Sequence, residues 1–208
     1  MARVEEVSFE VPKGLGNTIG NVLRDVSMVE TPSWRPIAFK LEEGGNIVHS
    51  SDYILEDITS ISVELSDAYY ECNDNAEYLV VSTDFTKECK LSTICGDKIK
   101  LLSDDRVIIH SMNDMSIPIT VIFRNTVGKF TIGDNTKFIK HTLNLDDDFS
   151  VISSNHVPVK RFSYKVTQKS NKDIVHIQYA TVNNDKAILQ RSIDLLVKTL
   201  TEITILST

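Results

Sequence analysis

The sequence predicts an α+β protein, and three observations carry that prediction. Apolar and polar residues alternate through a series of short segments, the period lengthens to that of a helix near the two ends, and turn-forming residues punctuate the stretch between. With 208 residues, 41% of them apolar and 25% charged, the chain is long and apolar enough to bury a sizeable core.

Val7, Phe9 and Val11 alternate with Ser8 and Glu10, the pattern of a strand with one buried face, and Pro12-Lys13-Gly14 ends it. Gly14, Gly16 and Gly20 then stud a turn that runs into a helix. Ile19, Val22, Leu23 and Val26 stand at i, i+3, i+4 and i+7, Asn17 or Thr18 is available as the cap, and the helix stops before Pro32. Gly14 and Gly16 permit positive φ, whereas Gly20 removes a side chain so that another backbone can approach; with Asn21 and Arg24 beside it, this predicts a docking surface.

From about Ser33 to His156 the chain reads as a mostly β module. Strand candidates run over Ile37–Leu41, Ile61–Leu65, Tyr78–Ser82, Val107–His110 and Ile117–Phe123. Breaks fall at Glu43-Gly44-Gly45-Asn46, Asn73-Asp74-Asn75, Ser103-Asp104-Asp105 and Gly133-Asp134-Asn135. After the acidic turn Asp146-Asp147-Asp148, Val159–Val166 and Ile174–Tyr179 read as two strands of a hairpin joined through Gln168–Asp173. A helix capped by Asn184 or Asp185 closes the chain. Its seam is Leu189, Ile193, Leu196, Leu200 and Ile203, and Ile188, Leu195 and Val197 widen the apolar face, which suits either two partners, its own strands and a second copy or related subunit, or a helix sunk in a single monomeric core.

Composition excludes several function classes. A net charge of −7 and a pI near 5.2 are wrong for a surface that binds nucleic acid by itself. No apolar run reaches the roughly 18 residues of a membrane helix, and the N-terminal residues lack a secretory signal pattern, so an intracellular chain is expected. Cys72, Cys89 and Cys95 lack metal-ligand spacing and read as reduced thiols; His49, His110, His141, His156 and His176 are scattered singly. No metal or cofactor is expected. The acidic run Asp146-Asp147-Asp148 reads as a solvated loop, and no serine nucleophile motif is present, so no catalytic residue is assigned. The Gly14-to-Gly20 loop departs from Gly-x-Gly-x-x-Gly by one residue, and Lys13 is not followed by Ser or Thr, which leaves nucleotide binding as an alternative.

Three stretches carry a family resemblance over nearly the whole chain. Gly14-Leu15-Gly16-Asn17-Thr18-Ile19-Gly20-Asn21-Val22-Leu23-Arg24, Tyr53-Ile54-Leu55-Glu56-Asp57-Ile58-Thr59-Ser60-Ile61 and His156-Val157-Pro158-Val159-Lys160-Arg161-Phe162-Ser163-Tyr164-Lys165-Val166 stand in the order of motifs that they resemble in the N-terminal assembly region of the RNA polymerase alpha subunit. In that family the second stretch precedes a strand, and the closing helix, here about Asp185–Leu200, is the dimer-forming one. The resemblance implies a dimerisation domain of residues 1–32 with 157–208, an antiparallel sheet with two helices, and an inserted mostly β domain over 33–156. It implies a non-catalytic scaffold of a DNA-directed RNA polymerase, itself a nucleotidyltransferase complex. The partners implied are a second alpha-like subunit, identical or paralogous, and the beta and beta-prime subunits, with DNA reached only through the complex. Gly14, Gly16, Gly20, Asn21, Arg24 and Met28 are the expected subunit contacts; Leu189, Ile193, Leu196, Leu200 and Ile203 are the expected dimer interface.

The chain departs from the family at several points. Arg24 is followed by Asp25 where the family has two arginines, a glycine-rich turn is reduced to Val127-Gly128-Lys129-Phe130, and the segment before the last helix reads Thr181-Val182-Asn183-Asn184. The sequence stops at Thr208, so a subunit lacking the family's C-terminal promoter-binding domain is expected. Two other readings compete: a nucleotide-binding enzyme using the Gly14–Gly20 loop, and an unrelated self-associating structural protein.

Overall fold

The computed structural model describes residues 4–43, 46–47, 53–72, 74, 76–145, 148–182 and 188–202. The expected cap at Asn184 or Asp185, seam residue Ile203, His49 and Asp146-Asp147 lie outside them. The chain divides into two compact units, one of residues 1–32 and 157–208 and the other of residues 33–156.

In chain order, β1 (Val4–Pro12) leads into α1 (Gly16–Asp25), which continues as a wider π-type coil over Val26–Glu30. There follow β2 (Ser33–Glu43), β3 (Asn46–Ile47), α2 (Ile58–Asp67), β4 (Tyr70–Cys72), β5 (Tyr78–Phe85), β6 (Glu88–Lys90), β7 (Ile99–Leu101), β8 (Val107–His110), β9 (Ile117–Thr126) and β10 (Gly128–Phe130). Then come α3 (Ile132–Phe138), β11 (Ser150–Val151), β12 (Ser154–His156), β13 (Val159–Gln168), β14 (Lys172–Thr181) and α4 (Ile188–Glu202). Every strand pairing among the described residues is antiparallel, so the fold is of mixed α+β type.

In the second unit, a seven-stranded sheet runs in the order β5-β9-β2-β4-β7 with β3 and β11 on β2. Its two central strands are covered on both faces. Phe39, Leu41, Val121 and Phe123 pack with Ile61 and Leu65 of α2, whereas Ala38 and Ile122 pack with Phe138 of α3. A strand buried on both sides needs a continuous apolar run, which Ile37-Ala38-Phe39 and Val121-Ile122-Phe123 supply. Pro36, which lacks a backbone donor, sits where the β2–β9 register shifts, between Pro36 and Ala38.

Two expectations are corrected here. Ile61–Leu65 is helix, not strand: Asp57 caps α2 by accepting from the Ser60 N–H at 2.6 Å, and Ile58, Ile61 and Leu65 turn toward the core while Val63 is exposed. The segment Tyr53–Ile61 therefore runs into a helix, α2, rather than toward a strand. Gly133-Asp134-Asn135 is not a break either, because Thr131 and Asp134 form a reciprocal capping box that starts α3.

In the first unit, β1, β14 and β13 form a three-stranded sheet whose middle strand is the late one, β14. Leu23 of α1, Val175, Ile177 and Tyr179 of β14, and Ile188 and Leu189 of α4 form the core on one face. The other face is polar: Ser8 bonds His176 Nδ1 at 2.8 Å, Gln178 donates to Glu6 and Lys172 to Glu10, both at 2.6 Å. The last bond holds the Glu10 carboxyl below its usual pKa and raises that of Lys172.

Candidate assembly surface

The glycine elbow is built around a carboxylate. Gly14 takes φ +88°, and the N–H groups of Gly14 and Gly16 both donate to Asp173 Oδ2, at 2.9 and 3.2 Å. Asp173 is buried at the first turn of α1, where unpaired backbone N–H groups and the helix dipole favour negative charge. The elbow thus has the donor geometry of a phosphate-binding turn, but its own carboxylate occupies it. Helix α1 begins at Gly16 and has no side-chain cap from its N-cap residue Leu15, so the expected cap at Asn17 or Thr18 is replaced by a residue more than 150 positions away.

Gly16 and Gly20 permit a close approach, and the partner is the unit's own sheet. A Cβ on Gly16 would lie 2.5 Å from Val166 Cγ1, and one on Gly20 would lie 2.4 Å from Tyr164 Cδ2. These glycines, expected to face another polypeptide, seat α1 on β13. With Leu23 and Ser27 they form its buried face, so the predicted stripe of Ile19, Val22, Leu23 and Val26 is rotated: of the four only Leu23 is fully buried, the rest half-buried.

What α1 turns outward is polar. Asn17, Thr18, Asn21, Arg24 and Asp25 are exposed, and Arg24 Nη2 pairs with Asp25 Oδ1 at 3.1 Å across the surface. An exposed pair of neighbours contributes little to stability, which leaves both side chains available to a partner. Met28 is half-buried against the unit's core, and Leu15 and Val29 are exposed at the two ends of the helical stretch.

Helix α4 divides along its length. Ile188 and Leu189 are buried, and Ile193 and Leu196 pack half-buried on the same core. Ser27 donates to Ser192 Oγ at 2.9 Å, and Ser192 donates on to the Ile188 carbonyl, which fixes α4 against the π-type coil. Beyond that clasp, every residue from Val197 to Glu202 is exposed, including Val197 at 54% and Leu200 at 57%. Of the four expected interface residues within the described chain, Leu189 therefore belongs to its own core, Ile193 and Leu196 are half-buried on it, and Leu200 faces solvent.

The chain matches no family model and no curated protein. Among the described residues, no helix is long and apolar enough to cross a membrane, and no group of three or more His, Cys, Asp or Glu side chains could hold a metal ion.

Sequence reasoning missed two arrangements. Asp173 read as part of a polar hairpin loop, and only the elbow's unmet need for an anion pointed to it. The single histidines acquire partners by folding: His110 Nδ1 lies 2.5 Å from Glu56 Oε1, which raises its pKa, whereas His156 is buried between the Ser33 carbonyl and Ser154 Oγ. Burial pushes His156 down to about 4, so it is neutral; Nδ1 donates to the carbonyl and Nε2 accepts from Ser154. Cys89 and Cys95 are likewise pushed up, to about 12 and about 11, by burial, and remain thiols.

Proposed function

We propose that the chain is a non-catalytic, alpha-like assembly subunit of a multisubunit DNA-directed RNA polymerase, which pairs with a second alpha-like subunit and holds the beta and beta-prime subunits. The observation that carries this reading is the exposed apolar end of α4, on a unit made from both ends of the chain. Val197 and Leu200 lie beyond the reach of their own core, on a helix whose first half is anchored by Leu189 and the Ser27–Ser192 clasp. A rigidly seated helix with an uncovered apolar end is suited to packing on a like helix. Asn21 and Arg24, on the exposed side of α1, are the groups assigned to a large subunit. The nucleotide-enzyme alternative is disfavoured by Asp173, whose carboxylate already holds the amides of Gly14 and Gly16.

The test is purification from the native source with identification of the accompanying chains. Beta-like and beta-prime-like subunits are expected. Val197→Glu and Leu200→Glu should give monomers in sedimentation velocity, while Arg24→Glu should keep the dimer and lose the large subunit. A dimer that co-purifies with no large polymerase subunit would leave the self-associating structural protein as the better account.

A further inference from the structure

The second unit contains a buried cation that has no carboxylate within ion-pair distance among the described residues. Arg35 of β2 is only 2% exposed, and its Nη1 donates to the Ser66 and Ala68 carbonyls at the C-terminal end of α2. Its guanidinium stacks on the Tyr69 ring, 3.3 Å from the centroid. With these contacts and a side-chain hydrogen bond to Tyr69, the guanidinium is partly satisfied, but Arg35 Nε is buried without an acceptor among the described residues. Burial lowers the pKa of the group, and Asp67 influences it only from beyond ion-pair distance. A desolvated charge in that condition is costly unless an anion meets it.

Arg35 lines an open cavity of about 340 Å³. The β10–β12 ladder places Lys129 directly opposite Asn155 at its mouth, with Ser153 beside them, and all three are exposed. Gly128, at φ +89°, starts the short strand that carries Lys129. The lining thus holds two cations against one carboxylate, Asp67, in a chain whose net charge is −7. Its aromatic rings do not offer a platform for a base: Tyr69 is covered by Arg35, and Phe130 is flanked by Arg124 at 5.0 Å and by the edge of His156 at 5.7 Å.

From this convergence we infer that the cavity binds a small phosphate, free or as the monoester of a small molecule, between the Arg35 guanidinium and the Lys129 ammonium, with Ser153 and Asn155 as further donors. Planar Arg and mobile Lys at one site, together with neutral donors, suit a tetrahedral oxyanion more than a flat carboxylate. The inference does not depend on the assembly role.

Isothermal titration with inorganic phosphate, and separately with glycerol 3-phosphate, tests it on the full chain. Saturable binding of one equivalent is expected, and preference for one titrant tells free phosphate from ester. Arg35→Met should abolish binding. Because that change also uncaps the end of α2, Lys129→Glu is the deciding variant: it should weaken binding about tenfold or more. Lys98→Glu makes the same charge change at an exposed position outside the cavity lining and should bind as the unaltered protein does. No saturable binding to the unaltered chain, or equal affinities in Lys129→Glu and Lys98→Glu, would overturn the inference.

Discussion

Gly20→Ala separates a surface glycine from a packing glycine. In a solvent-facing helix the change should stabilise by about 1 kcal/mol through helix propensity alone. Here the new methyl would stand 2.4, 2.5 and 2.8 Å from Cδ2, Cε2 and Cγ of the Tyr164 ring. Carbon atoms rest at about 3.5 Å or more, so the ring or the helix must move by about 1 Å. Tyr164 is tied by its hydroxyl to the Asn17 carbonyl and by its backbone to β14, and such overpacking costs about 1–3 kcal/mol. Set against the propensity gain, the net expectation is no stabilisation and a loss of up to about 2 kcal/mol, or up to several degrees in melting temperature for a chain of this size. The measurement is urea unfolding followed by far-UV circular dichroism. Fluorescence of the single tryptophan, Trp34, reports the other unit and serves as an internal control. On a Tyr164→Ala background, where the space is open, Gly20→Ala should become neutral or stabilising. Stabilisation on the Tyr164 background as well would refute the packing argument.

Asp173→Asn removes the charge that serves two amides at the start of α1; the unfolding free energy of the first unit, from urea titration, should fall by about 1–3 kcal/mol, and a neutral result would contradict the anchoring role. His156 has a folded pKa of about 4, below the ordinary value of 6.5, so the unfolded chain takes up the proton first and stability is lost as pH falls from 6.5 toward 4. Between pH 7 and pH 5 the second unit, followed by Trp34 fluorescence, should lose about 2 kcal/mol, and His156→Gln should flatten that dependence. A thiol reagent at pH 8 should label Cys72 far faster than the buried Cys89 and Cys95, with all three reacting in urea.

Much of the sheet structure was legible because half-buried strands write their period into the sequence. Val7, Phe9 and Val11 are in β1, and Val107–His110 coincides with β8. The same rule failed at α2, where Ile61, Val63 and Leu65 imitate a strand; the capping Asp57 and the wider set Ile58, Ile61 and Leu65 carried the true period. At α3, turn-rich composition hid a capping box that was readable as Thr131 with Asp134. The candidate site was less legible for a different reason. Which face of α1 is buried depends on where Tyr164 and Val166 arrive from β13, and its start depends on Asp173, so no window around the helix contains the information.

The central position of β14 also has a consequence for synthesis on the ribosome. Gly14 and the carboxylate that holds it are 159 residues apart, so at about 5–20 residues per second the emerging elbow waits roughly 8–30 seconds for its mate. During that interval β1 has no neighbour to pair with, whereas all of residues 33–156 have already been translated before β13. Nascent-chain folding must therefore run from the middle outward, and β1, though translated before β2 to β14, is among the last to be sheltered.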